Sequence, residues 1–255
     1  MLSDEDFHRF TEFRCGAMGR RLKEMVENPV FDSMTFEEKM KDLIDTEVTS
    51  RQENKIIRLV KQANFKIPDA CIEDVLYLKD RKLSKDRILR LAECGWIEEC
   101  GTVVIISRTS GGKSYLAQAL GTAACRKLHG VAYTRLTDIC AELNQARENN
   151  DGTYYELLNK FKRVSLLIID DFMTTPIKTV NAVDLFEIME ARENRRATLI
   201  ASQLEPNEWY LRIEGELMAD SILSRIATGA TYIEVEGPNR REYFARKKAA
   251  EEKKQ

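Results

Sequence analysis

The chain has 255 residues, 43% hydrophobic and 32% charged, which is enough apolar material for a large domain or for a domain with a smaller companion. Its 40 Lys and Arg against 42 Asp and Glu leave a net charge of −2, which excludes a polybasic, histone-like binder but not a local basic patch, because net charge averages over faces. No apolar run approaches the roughly 18 residues that cross a bilayer, and six cysteines without a CxxC pair beside two histidines give no zinc pattern and read as reduced thiols.

The first residues, Met1-Leu2-Ser3-Asp4-Glu5-Asp6, are acidic and carry no apolar h-region. No signal peptide and a cytoplasmic location are therefore expected. Residues 5–62 read as helical, with Phe10, Phe13, Met18, Leu22, Met25 and Val26 at helical spacing. Asn28-Pro29 breaks that run. Thr35 and Glu38 form a capping box that opens the next helix, whose polar face carries Glu47, Arg51 and Lys55 at i,i+4 spacing. Ile67-Pro68-Asp69 ends the helical front. The pattern thus predicts a small all-helical N-terminal domain over 1–66, a connector over 67–83 and a second domain over 84–246. A charged tail over 247–255 is expected to fray.

A short helix follows Ser84. From residue 102 strand-like and helical runs alternate: Val103–Ser107, a helix from Lys113, Val131–Leu136, a helix from Asp138, Leu166–Asp170, a helix from Val180, Thr198–Ser202, and a last short strand at Tyr232–Val235. This order predicts an α/β fold, a parallel sheet flanked by helices on both faces.

After the first of these strands comes Ser107-Arg108-Thr109-Ser110-Gly111-Gly112-Lys113-Ser114, followed by a helical run from Tyr115. Strand, glycine-rich loop and helix in that order form a P-loop. Backbone N–H groups of such a loop turn inward around a β-phosphate, and the helix points its positive end at the same anion. Lys113 would reach the β- and γ-phosphates of ATP, and Ser114 would give its hydroxyl to Mg²⁺. The pattern departs at its first position, where Ser107 replaces Gly. If the backbone there needs positive φ, serine costs on the order of 1 kcal/mol.

Leu166-Leu167-Ile168-Ile169-Asp170-Asp171 is a buried-strand run ending in two carboxylates, placed at the same sheet edge as the P-loop. Asp170 would hold Mg²⁺ through water opposite Ser114, and Asp171 would orient or deprotonate the attacking water. The strand Thr198–Ser202 ends beside Gln203, a candidate sensor of the γ-phosphate. Arg225, near the end of a helical stretch, is a candidate to reach a neighbouring subunit's nucleotide, and Arg240 or Arg241 could return to the nucleotide of its own chain.

These motifs carry a resemblance. Met34-Thr35-Phe36-Glu37-Glu38, Arg51-Gln52-Glu53-Asn54, Leu91-Ala92-Glu93-Cys94-Gly95-Trp96-Ile97, Gly112-Lys113-Ser114-Tyr115-Leu116-Ala117, Leu167-Ile168-Ile169-Asp170-Asp171-Phe172, Ala201-Ser202-Gln203 and Ala219-Asp220-Ser221-Ile222-Leu223-Ser224-Arg225 resemble the IstB-like helper ATPases of insertion-sequence transposition. These are relatives of the helicase loader DnaC in the AAA+ initiator group. The resemblance implies a AAA+ P-loop NTPase behind a helical domain. It also implies Mg²⁺-dependent ATP hydrolysis, ATP-linked homo-oligomers on double-stranded DNA and delivery of a partner transposase. Arg225 matches the family's arginine finger and Arg241 its second sensor arginine. Met173 stands where the family usually has Gly.

Residues 51–90 carry 11 basic against 6 acidic side chains, and residues 240–255 carry 7 against 3, whereas 1–50 and 91–239 are net acidic. Arg51, Lys55 and Arg58 lie within two helical turns, with Lys61 beyond; Lys79, Arg81, Lys82, Lys85, Arg87 and Arg90 follow. Such a stripe suits phosphate contacts. The resemblance adds a helical insertion after the second core strand, here Thr137 to Arg163 with Arg147, Lys160, Lys162 and Arg163, as a second DNA grip. No base-reading module is visible, so little sequence preference is expected. Two alternatives stay open: a DnaC-like loader that uses ATP only as a switch, and a degenerate P-loop protein that binds DNA without turnover.

Overall fold

The computed structural model describes residues 3–77, 83–108 and 111–236. Thr109 and Ser110 of the loop, Lys79, Arg81 and Lys82 of the basic stretch, Arg240, Arg241 and the expected tail 247–255 lie outside the described residues. The chain divides into two compact units, Met1–Arg58 and Leu59–Gln255.

The first unit is helical. It holds α1 (Asp4–Glu12), α2 (Gly16–Glu27), a 3-10 turn at Pro29–Ser33 and the first part of α3 (Phe36–Gln62). The Thr35–Glu38 capping box forms as expected: Glu38 N–H donates to Thr35 Oγ1 at 3.3 Å, and Thr35 N–H to Glu38 Oε2 at 2.7 Å. The helical run has an additional break at Phe13–Cys15. Arg14 is left-handed, φ 59°, a conformation that ends a helix, and no proline or glycine marks it in the sequence. The restart at α2 has no side-chain cap of its own. Glu47 of α3 supplies one from 30 residues away: Oε2 accepts the Ala17 and Met18 N–H groups, each at 3.1 Å. Glu47 Oε1 accepts from Arg51 Nε at 2.8 Å, and Arg51 Nη2 donates to the Arg14 carbonyl at 2.8 Å.

The second unit is built on five parallel strands in the order β2-β3-β4-β1-β5: β1 (Thr102–Ile106), β2 (Val131–Arg135), β3 (Leu166–Phe172), β4 (Ala197–Ser202) and β5 (Thr231–Glu234). Each expected strand is present, shifted by at most two residues at an end. Alternate residues face opposite sides of a strand, and both sides are buried. Val103, Ile105, Leu166 and Ile168 pack with α6 (Lys113–Arg126). Val104, Ile106, Leu167 and Ile169 pack with α7 (Leu136–Asn149), α8 (Thr153–Arg163), α9 (Thr179–Arg192) and α11 (Glu216–Ala227). Short helices α4 (Lys85–Ala92), α5 (Gly95–Glu98) and α10 (Pro206–Trp209) complete the unit. The insertion expected over Thr137–Arg163 is the α7–α8 pair.

The residues leading into the sheet are part of its core. Ala63, Phe65, Ala70, Ile72 and Val75 are buried on the α6 side. Gly121 of α6 leaves room for this packing: a Cβ there would lie 2.7 Å from Phe65 Cε1 and 2.8 Å from Ile168 Cδ1.

The Arg51 hydrogen bond holds the Glu47 carboxyl below the usual carboxylate range; burial opposes this and the Met18 and Ala17 amides assist it. The stabilisation is present above the ordinary glutamate pKa and fades as pH falls through the depressed value. Glu47→Gln is expected to destabilise the N-terminal unit by about 1–3 kcal/mol at pH 7. Thermal melts from pH 7 to pH 3 should show the gap to wild type closing with acid; a gap that stays constant contradicts the assignment.

Candidate functional site

β4 lies between β1 and β3, so the loop after β1 and the acidic end of β3 converge over the carboxyl end of β4. That edge is where open α/β sheets bind ligands. Gly112 is left-handed, φ 97°, and opens α6 at Lys113 with no side-chain cap. A helix start of this kind turns its positive end toward an anion. At Gly111 a Cβ would lie 1.9 Å from Ser107 Oγ and 3.2 Å from the Arg108 carbonyl oxygen, so a side chain there would displace the Ser107 hydroxyl.

Ser107 is well accommodated. It is not among the left-handed residues, so the strain considered from the sequence does not arise. Its N–H donates to the Ser202 carbonyl at 3.1 Å. Its hydroxyl donates to the Val235 carbonyl at 2.7 Å. A cavity of about 620 Å³ opens beside the loop, with Ser107, Arg108, Gly111 and Gln203 on one part of its lining and the carboxylates of Glu205, Glu208, Glu234 and Glu236 on the rest, within the size range of small-molecule sites.

The acidic pair sits on a β-bulge. Ile169 pairs with Ile200 and Phe172 with Ser202, so Asp170 and Asp171 together face the single residue Ala201. Asp171 is left-handed, φ 49°. In a regular strand consecutive side chains point to opposite faces; the bulge re-aims one of them. Both carboxylates thereby reach Lys113, whose Nζ lies 2.8 Å from Asp171 Oδ1 and 3.6 Å from Asp170 Oδ1. Ser114 Oγ is 3.5 Å from the same nitrogen.

Asp170 is 2% exposed and held at both oxygens. Tyr133 donates its hydroxyl to Oδ2 at 2.6 Å, and the Asp171 N–H donates to Oδ1 at 2.8 Å. Burial, then the neighbouring Asp170 charge, pushes the Tyr133 phenol well above its usual range, so tyrosine is the donor. Burial would raise Asp171, but the Lys113 hydrogen bond and charge, a hydrogen bond from Gln203 and the charge of Lys66 hold it below the usual carboxylate range. Lys113, Ser114, Asp170, Asp171 and Gln203 thus form one cluster.

Other candidates lie elsewhere. Tyr115, in the first turn of α6, brings its hydroxyl to 3.5 Å from the Cys71 backbone. Arg108 is exposed. Arg225 stacks on Phe186 at 4.8 Å and lies 3.6 Å from Glu190 and 3.3 Å from Glu193, the latter an ion pair off the hydrogen-bond direction. It lines a cleft with Thr102 and Thr198, at the starts of β1 and β4, the sheet edge opposite the P-loop.

Among the candidate DNA contacts, Arg51 pairs with Glu47. Arg147 makes two 2.7 Å bonds to Asp184 and stacks on Tyr154. Lys162 pairs with Glu187 at 2.7 Å. Lys55, Arg58, Lys160 and Arg163 are exposed. The sequence reading did not single out Tyr133 or Lys66, because their site partners are 37 or more residues away and follow no local pattern.

The sheet order, the P-loop between β1 and α6, and the acidic strand end two places across the sheet define a AAA+ P-loop fold. Residues 9–249 match the IstB-like ATP binding protein family, and the chain belongs to it. It is 31% identical over 204 residues to an ATP-binding protein of insertion sequence IS1162 from Pseudomonas fluorescens, covering 80% of this chain and 87% of that one. It is 31% identical over 247 residues to the insertion sequence ATP-binding protein y4pL of Sinorhizobium fredii, covering 97% and 100%. Among solved structures it shares its fold with DnaI (TM-score 0.59, 21% identity, 72% of this chain and 99% of that one). It also does so with the DnaC helicase loader (0.56, 16%, 66% and 97%) and with AMPPCP-bound DnaA from Aquifex aeolicus (0.58, 22%, 72% and 55%). No helix among the described residues is long and apolar enough to cross a membrane.

Gly111→Ala should place a methyl group on Ser107 Oγ and weaken binding of a fluorescent ATP analogue by about tenfold or more, the 1–3 kcal/mol scale of overpacking. Combining it with Ser107→Gly removes the obstructing hydroxyl and should recover part of that loss. A double variant as weak as Gly111→Ala alone would contradict the stated steric cause.

Proposed function

We propose that the protein is an ATP-hydrolysing, duplex-DNA-binding regulator of transposition, which oligomerises with ATP on DNA and recruits or activates a partner transposase at the target site. The observation that carries this reading is Lys113, a buried ammonium held between Asp170 and Asp171 at the mouth of a P-loop.

The residues fit ATP and Mg²⁺. Gly111 leaves the Ser107 hydroxyl its place in the loop, α6 opens at Lys113 behind a left-handed glycine, and a hydroxyl and a carboxylate, both hard oxygen donors suited to Mg²⁺, flank Lys113. The loop from Ser107 through Thr109, Ser110 and Gly112 would wrap the phosphates, and Ser114 with Asp170 would hold the metal. Mg²⁺, when bound, supplies neutralisation of charge developing on the phosphates. Lys113 would exchange its bond to Asp171 for one to the phosphates. Asp171, released, is a carboxylate free to orient the attacking water and accept its proton. Gln203, already bonded to Asp171, would report whether a γ-phosphate is present. Arg225 lies at the opposite sheet edge from its own P-loop, which suits a role in trans at a neighbour's nucleotide. Arg241 is assigned to the nucleotide in cis.

For DNA, the exposed Lys55, Arg58, Lys160 and Arg163 are free to meet phosphates without first breaking an ion pair. Arg51, Arg147 and Lys162 would have to exchange a carboxylate for a phosphate. Relatives named for insertion sequences support a transposase as the partner, and hydrolysis would release the assembly.

ATP hydrolysis with and without duplex DNA, in wild type, Lys113→Ala and Asp171→Asn, tests the reading. Lys113→Ala is expected to lose ATP binding. Asp171→Asn should still bind ATP but turn over about 10²–10³-fold more slowly, leaving the oligomer trapped on DNA. Equal rates in wild type and Lys113→Ala would sink the ATPase reading. Binding without turnover in wild type would favour a switch of the helicase-loader kind.

A further inference from the structure

Tyr133 connects two parts of the second unit that the proposed chemistry leaves separate. It lies in β2, an edge strand of the sheet, and is 3% exposed. Its side chain reaches Asp170 Oδ2 at 2.6 Å. Its backbone N–H, on the free edge of β2, donates to the Ala63 carbonyl at 2.9 Å. Its ring meets Phe65 with centroids 6.2 Å apart. The segment 63–67 that it fastens is also tied to the P-loop helix. Ile67 N–H donates to Gln118 Oε1 at 2.8 Å, and Gln118 Nε2 donates to the Ser114 carbonyl at 2.9 Å. One short strap is thus bonded to both residues assigned to the metal, to Asp170 through Tyr133 and to Ser114 through Gln118.

We propose that Tyr133 is a positioning residue for the metal-nucleotide site, fixing the rotamer of Asp170 so that Oδ1 is presented toward Lys113 and Ser114, while holding the strap 63–67 against the same strand. A carboxylate at a strand end turns about its last torsion unless its oxygens are bound. Here Tyr133 occupies Oδ2 and the Asp171 amide orients Oδ1. Groups that hold a metal-binding carboxylate set its geometry and affinity, and their loss typically costs 10–100-fold. The assignment rests on the reading of Asp170 as a metal-holding residue.

The test is Tyr133→Phe in the full chain, which keeps the ring against Phe65 and removes only the hydroxyl. Affinity for a non-hydrolysable ATP analogue is measured in EDTA and across a Mg²⁺ titration, beside kcat, KM and melting temperature. In EDTA the variant should bind within about twofold of wild type. The gain in affinity from Mg²⁺ should shrink about tenfold or more, KM should rise with that loss, and kcat should fall about 10–100-fold. Site-specific 4-aminophenylalanine at position 133, which restores a neutral N–H donor, should give an intermediate Mg²⁺ response. If the Phe chain does not fold, that variant decides: a Mg²⁺ midpoint raised several-fold supports the assignment, and an unchanged one overturns it. A Mg²⁺ gain kept in full by Tyr133→Phe overturns the assignment alone. A wild-type chain that gains nothing from Mg²⁺ overturns the reading of Asp170 beneath it.

Discussion

The site depends on one desolvated charge. Lys113 has a side chain only 9% exposed, beside carboxylates that are 2% and 33% exposed. Ions removed from water to that degree persist only when paired and hydrogen-bonded. Each main feature around them serves that pairing. The sheet order puts β1 and β3 on either side of β4, so loop and acids meet. The bulge in β3 turns a second carboxylate toward the lysine. Gly111 leaves room for Ser107, whose hydroxyl anchors the loop to Val235. Tyr133 and the Asp171 amide satisfy the oxygens of Asp170 that Lys113 does not fully serve. The proposed chemistry draws on the same arrangement: a phosphate arriving at Lys113 would compete with Asp171 for its ammonium.

Local features were legible in the sequence. The P-loop is a contiguous run with its strand and helix attached, and the buried β3 strand announces itself as four apolar residues closed by Asp170-Asp171. The Thr35–Glu38 box reads correctly because capping needs only three-residue spacing. What stayed hidden depends on distant partners. The bulge exists only in the register with β4, and the left-handed Asp171 carries no glycine to signal it. Ser107 looked like a liability because its backbone conformation is not written in the sequence, and neither is Val235, 128 residues away, which accepts its hydroxyl. Arg14 breaks the first helix without a proline or glycine, and Glu47 repairs the restart from 30 residues off.

Charge shows the same limit. The basic excess over 51–90 is plain in the composition, but composition does not say which cations are already paired. Arg51 holds the turn before α2, and Arg147 ties α7 to α9 through Asp184. Among the cations left exposed, Lys55 and Arg58 lie in the first unit and Lys160 and Arg163 in the second. Arg225, at the sheet edge opposite Lys113, is likewise engaged within its own chain, by Glu190, Glu193 and the Phe186 ring.

The proposed function requires that Lys113 give up the acidic pair for phosphate. A crystal structure of the full chain with a non-hydrolysable ATP analogue and Mg²⁺ would show whether it does. Lys113 Nζ is expected within hydrogen-bond reach of the β- and γ-phosphate oxygens and away from Asp171, with Asp170 still bonded to Tyr133. A bound nucleotide with Lys113 still seated between Asp170 and Asp171 would contradict it.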